Sequence, residues 1–198
     1  MGIVIELQRE ALDEKISIES LMRKAYLVAR KLNLKEFEEW ISQEQNGYKQ
    51  EVPEYRNIAG EIKAWNPYHG WIPMVLSADI SDLVSKMPIP TSISELQDVY
   101  NSSEGTVCLS VNGTLTEWFN SNMDFIPTKY QFFSTKSELY RIMSTVRNKI
   151  LDWAVVVPVY QERNLTVFST ARVNLETVDQ NITPYYDWTQ DIQIVEMK

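Results

Sequence analysis

One cysteine and one histidine are all this chain of 198 residues holds of the two side chains most used for metal binding and nucleophilic catalysis. A lone Cys108 excludes an internal disulfide and a cysteine-rich zinc site. A Ser-His-Asp or Cys-His catalytic arrangement would have to recruit His69. Nothing local marks Cys108 as activated. It lies in the apolar run Val107-Cys108-Leu109, where a small core thiol is the ordinary reading. Only six glycines occur, scattered, so neither a phosphate loop nor a dinucleotide fold is supported.

Positive charge is scarce. The formal net charge is −8, which weakens attraction to phosphate backbones and anionic lipid. The densest basic stretch, Lys24, Arg30, Lys31 and Lys35, runs at once into Glu36, Glu38 and Glu39, so nucleic-acid binding is not signalled. No apolar run is long enough to span a membrane. The opening Met1-Gly2-Ile3-Val4-Ile5-Glu6 lacks the basic and long apolar parts of a signal peptide, and Gly2 lacks a myristoylation context. N-x-S/T sequons at Asn101, Asn112, Asn164 and Asn181 are chance matches in a chain of this kind. The expected compartment is the cytoplasm.

What is present is an ordinary globular inventory, 44% apolar and 23% charged, in a chain long enough to fold without cofactor or metal. Helical spacing predicts Val4 to Leu12, then a helix capped by Ser17 with Ile18, Leu21, Met22, Ala25, Val28, Ala29 and Leu32 on one face. Asn33 with Glu36 reads as the capping box of a third helix, whose buried face is Phe37, Trp40 and Ile41 and which Asn46-Gly47 ends. The period then changes. Asn57 to Trp65 alternates as a half-buried strand with Ile58, Ile62 and Ala64 inward, and Trp71 to Leu76 follows as its hairpin partner, with Pro73 demanding an edge or a bulge.

Further on, the pattern predicts short helices over Asp79 to Lys86 and Ser92 to Tyr100, an extended Met87-Pro88-Ile89-Pro90, and a strand over Thr106 to Val111. Leu115 to Asn122 is weakly helical and Lys129 to Phe133 a strand. The longest helix opens on a Thr135/Glu138 capping box, carries an apolar stripe from Leu139 to Val157, and ends at Pro158. Leu165 to Phe168 and Ile192 to Val195 read as strands. The fold class is α+β: N-terminal helices, a central mainly antiparallel sheet with a hairpin, and a long later helix packed on it. The expected organisation is one α+β domain over 1–160, helical in 1–47 and mixed in 48–160, with a β-rich extension, 161–198, packed on it.

Three features invite a functional reading. Glu61-x-Lys63 on a strand, after Pro53-Glu54, imitates a metal-dependent nuclease site; the plainer reading is the wet face of an amphipathic strand. The loop around Trp65, Tyr68, His69 and Trp71 is either a hairpin tip with cross-strand tryptophans or an exposed contact patch. Tyr185, Tyr186 and Trp188 either cap the core or present a partner surface.

The segment Ser20 to Ile41, then Asn46-Gly47-Tyr48, Pro53-Glu54-Tyr55-Arg56, Gly60, Trp65 to Pro73, and the helix Val146 to Ala154 together resemble, in order and spacing, the AbiTii family of bacterial abortive-infection proteins. The likeness runs over about residues 17 to 157. It implies a role in defence against bacteriophage, in which an infected cell stops growing or dies before phage matures. It supplies no catalytic residue set, cofactor or metal. With no convergent catalytic group and many aromatics, the expectation is a non-enzymatic sensor, adaptor or regulator acting on a protein encoded elsewhere or on a phage or host protein. A second copy of the chain is an admissible partner, and a small metal-dependent nuclease or other toxin enzyme is the alternative.

Overall fold

In the computed structural model, which describes residues 2–122, 127–162, 165–168 and 193–196, three amphipathic helices come first: α1 (Ile3–Leu12), α2 (Ile18–Lys31) and α3 (Lys35–Asn46). Ser17 caps α2, its side chain accepting the Ser20 amide. Leu21, Met22, Ala25, Val28 and Ala29 form one fully buried stripe of α2. Asn33 does not cap α3 as expected. It adopts φ 56° and closes α2 instead, its amide bonding Arg30 O while the Leu34 amide reaches Ala29 O. That is a Schellman ending with asparagine in the left-handed position, and Leu34 becomes the α3 N-cap without a side-chain bond. Gly47, at φ 84°, ends α3.

The sheet is built on β1 (Asn57–Asn66), which turns through residues 67–69 into β2 (Gly70–Pro73). Pairs run from Lys63↔Pro73 to Asn66↔Gly70. The second strand stops at Pro73, short of the expected Leu76, on an edge where a missing amide costs nothing. After α4 (Ala78–Val84), β3 (Lys86–Pro88) pairs with the start of β1. Next come α5 (Ile93–Ser102), β4 (Thr106–Ser110), α6 (Gly113–Asn122) and β5 (Tyr130–Thr135). A true capping box, Ser92 with Glu95, starts α5. The order is β2-β1-β5-β4, all antiparallel. Cys108 is exposed, not buried. The pleat sends Val107 to the buried face, so its neighbour must point out.

The long helix α7 (Lys136–Glu162) passes through Pro158 rather than ending there. Its early Glu138 is not spent on a capping box. Its carboxylate accepts from the Ala59 amide of β1 and from Arg141. The pair β6 (Leu165–Phe168) and β7 (Gln193–Glu196) forms a separate two-stranded antiparallel sheet. Among the described residues no helix is long and apolar enough to cross a membrane.

Two compact units emerge: residues 1–47 with 146–198, and residues 48–145. In the first, Phe37 is stacked between Trp40 (5.4 Å) and Trp153 (4.0 Å, rings nearly parallel). Trp153 is 5% exposed and Trp40 half-buried. In the second, Ile58, Ile62, Ala64, Tyr130, Phe132 and Val107 share the buried sheet face. Fully buried Arg56 donates to Thr91 O at 3.0 Å and lies over the Tyr48 ring.

Candidate interaction surface

The candidate surface is the opposite sheet face. Strand alternation puts Glu61, Lys63 and Trp65 of β1 there, with Trp71 of β2, Gln131 and Phe133 of β5, and Cys108 of β4. Directly opposed Trp65 and Trp71 meet edge to face at 5.3 Å. Trp71 meets Phe133 in the same manner at 5.6 Å. The three rings form a continuous aromatic strip across three strands. Such edge-to-face pairs stabilise beyond their area. Lys63 lies over the Phe133 ring and pairs with Glu61 at 2.9 Å. The Glu61-x-Lys63 motif therefore folds as a self-paired polar patch beside the strip. Among the described residues no group of three or more His, Cys, Asp or Glu is placed to hold a metal.

The hairpin tip is rigid for local reasons. Asn66 Oδ1 accepts the amides of Tyr68 (2.9 Å) and His69 (3.1 Å), and Gly70 takes φ 72°, which its lack of Cβ permits. Thr128 donates to Trp65 O at 2.6 Å and holds the strand end. On this frame Tyr68 stands 91% exposed and Trp65 42%; His69 is exposed and Trp71 half-buried. Beside the tip runs a groove of about 510 Å3 lined by Trp65, Pro67, Tyr68, Ile72, Met74 and Pro127 among others. Its walls are mainly apolar, and Val75, one of its lining residues, is 98% exposed. Apolar concave surface with a few polar groups is what binding sites are made of.

The structure thus gathers Trp65, Tyr68, His69 and Trp71 at one end of the sheet. Tyr185, Tyr186 and Trp188 lie outside the described residues. Sequence reasoning missed Phe133 and the groove. The signal was the alternation Tyr130-Gln131-Phe132-Phe133, whose odd positions must share the Trp65 face once β5 pairs with β1.

The AbiTii family model matches residues 2–171. The chain belongs to the AbiTii family. Membership places it among abortive-infection proteins of phage defence. No curated protein and no solved structure matches it. In this AbiTii chain several residues of the family-like segments do structural work. Arg56 is buried in its unit, Gly60 sits where no side chain fits, and Arg147 ties down the end of α1. In the Trp65 to Pro73 segment Trp65, Pro67, Tyr68, His69, Ile72 and Pro73 are exposed.

Proposed function

We propose that this AbiTii chain serves abortive infection as a binding component, a sensor, adaptor or regulator that engages a protein partner through the hairpin tip and the adjoining groove. The observation that carries the reading is Tyr68, an aromatic almost wholly exposed on a turn held by Asn66 and flanked by an apolar groove. Large aromatics on rigid frames are the residues that dominate interface energies. A partner encoded elsewhere, or a phage or host protein, meets this requirement. The strongly acidic chain favours neither nucleic acid nor anionic membrane.

The test is paired. Tyr68→Ala and Val75→Asp remove exposed side chains, so both variants should keep the parent melting temperature within about 1–2 °C, consistent with surface substitutions. Partner affinity should fall roughly thirtyfold on losing the Tyr68 ring, and phage protection should fall with it. Full protection by the double variant discards the surface.

The rival nuclease reading draws less support, because Lys63 is occupied by Glu61 and Phe133, while Glu54 is bonded to Lys86 and Asn57. Manganese-dependent cleavage of DNA or RNA that vanishes in Glu61→Ala would reverse the ranking.

A further inference from the structure

Among the described residues β4 is an open sheet edge, and its sequence lacks the usual protection. It pairs with β5 on one side, and among the described residues no backbone bond is made on the other. Edge strands left in this state are templates for another strand, and proteins usually blunt them with charge, proline or brevity. The opposite edge is blunted so: β2 is four residues long and ends in Pro73, and β3 is three long and ends in Pro88. β4, Thr106-Val107-Cys108-Leu109-Ser110, has five residues, no charge and no proline.

The ladder phase shows which groups are free. Trp65 N–H bonds Lys129 O, so the odd residues of β5 face β1 and its even residues face β4. Val107 and Leu109, opposite Ser134 and Phe132, are then the β4 residues bonded to β5. The amides and carbonyls of Thr106, Cys108 and Ser110 point outward, and all three residues are exposed.

We propose that β4 pairs antiparallel with β4 of a second copy about a two-fold axis at Cys108. This inference stands on the sheet edge and not on the hairpin reading above. The strand is self-complementary in that register. Thr106 falls opposite Ser110 of the second copy, and Val107 opposite its Leu109, which continues the buried face with apolar on apolar. Cys108 falls opposite Cys108. The three outward residues of each strand supply about six main-chain bonds. Two chains of net charge −8 repel each other, and an uncharged strand is where that repulsion is least local. The nearest preceding charge, Glu104, meets Asn112 of the second copy rather than a carboxylate. A closed two-fold contact of this isologous kind consumes the edge on both copies and leaves none for further growth.

The full chain should therefore show twice its 23.1 kDa mass in sedimentation equilibrium, with reversible dissociation on dilution. Cys108→Ser should keep the dimer. Cys108→Lys sets two like charges directly opposite and should weaken association by about tenfold or more with an unchanged circular dichroism spectrum. The register is tested in the Cys108→Ser background. Thr106→Cys combined with Ser110→Cys should form an inter-chain disulfide on oxidation by diamide, which takes up the two electrons and two protons released by each thiol pair. The expected Cα separation of about 5.5 Å suits that bond. Either cysteine alone should give little. A monomer at every concentration overturns the proposal. So does a dimer that the paired cysteines fail to cross-link, which also decides the matter should Cys108→Lys not fold.

Discussion

Gln8 of α1 donates its side-chain amide to the carbonyl of Ala154 in α7, at 2.6 Å. That carbonyl is the one a helix would normally satisfy from residue 158, and Pro158 has no amide hydrogen to give. The two facts explain each other. A proline inside α7 frees an acceptor next to a fully buried residue, and a side chain from the first helix of the same unit takes it. Gln8→Ala should cost about 1–3 kcal/mol, the penalty of an unsatisfied buried acceptor. Pro158→Ala restores the helical donor, so in that background Gln8→Ala should cost clearly less. A double-mutant cycle by denaturant titration measures the coupling. Strictly additive effects would sink the explanation.

Ala59 poses the same problem in the other unit. The pairing of β1 with β5 ends at Gly60↔Ser134, so Ala59 lies one residue beyond it. Glu138 takes its amide at 3.0 Å and Ser134 Oγ donates to its carbonyl at 2.6 Å. Burial pushes the Glu138 carboxyl up, but the Ala59 amide and the Arg141 guanidinium outweigh it and leave the group below the ordinary glutamate range. A carboxyl depressed by folding stabilises above its unfolded value, and that contribution is lost as pH falls through the folded value. Glu138→Gln should therefore lower stability by about 1–3 kcal/mol at neutral pH, with the gap to the parent closing as pH drops below about 4.5. Unfolding curves from about pH 7 to pH 3 check the sign. A gap that widens on acidification contradicts the assignment.

Gly60 is required by close approach. A Cβ built there would lie 2.3 Å from Phe133 O and 2.6 Å from the Phe132 ring, and the first is backbone that cannot step aside. Its amide also reaches Ser85 O and extends the β1–β3 ladder. Gly60→Ala should destabilise by about 3 kcal/mol or more, beyond the usual range for a single methyl. A melting temperature within a degree or two of the parent would show that the strands can part at no cost.

What the sequence made legible was local. Ser17 as a cap, the alternation of β1, the hairpin, the apolar stripe of α2 and the start of α5 at Ser92 depend on neighbours within a few residues. Most failures involved a partner far along the chain or a residue with two local uses. Asn33 can begin a helix or close one, and the reach of the Leu34 amide back to Ala29 settles it. Glu138 serves Ala59, seventy-nine positions away, and Pro158 is tolerated where Gln8 stands ready. Cys108 was misread because three apolar letters in a row cannot all face inward on a pleated strand. For the candidate surface, the hairpin residues were legible from composition. Lys63 shared the Trp65 face by the alternation of β1 itself, while Phe133 joined them only through the β1–β5 register.

Arg147 offers a last test in the helical unit. Its guanidinium donates to the carbonyls of Glu10 (3.2 Å), Ala11 (3.4 Å), Asp13 (3.1 Å) and Ile16. These are carbonyls of the last turn of α1 and of the turn that follows, where the helix end carries partial negative charge; Glu10 O and Asp13 O also accept from the amides of Asp13 and Ile16. A planar fork with five donors can span such a group, while an ammonium cannot. Arg147→Ala should cost about 2–3 kcal/mol, as expected for hydrogen bonds from a charged donor to partly buried acceptors. Arg147→Lys should recover no more than about half of that. Amide exchange would localise the effect: protection should fall in residues 10–16 and at the start of α2 well before it falls in β1 or β5. Equal loss of protection across the chain, or an Arg147→Lys protein as stable as the parent, would show that α1 is held by its apolar face alone.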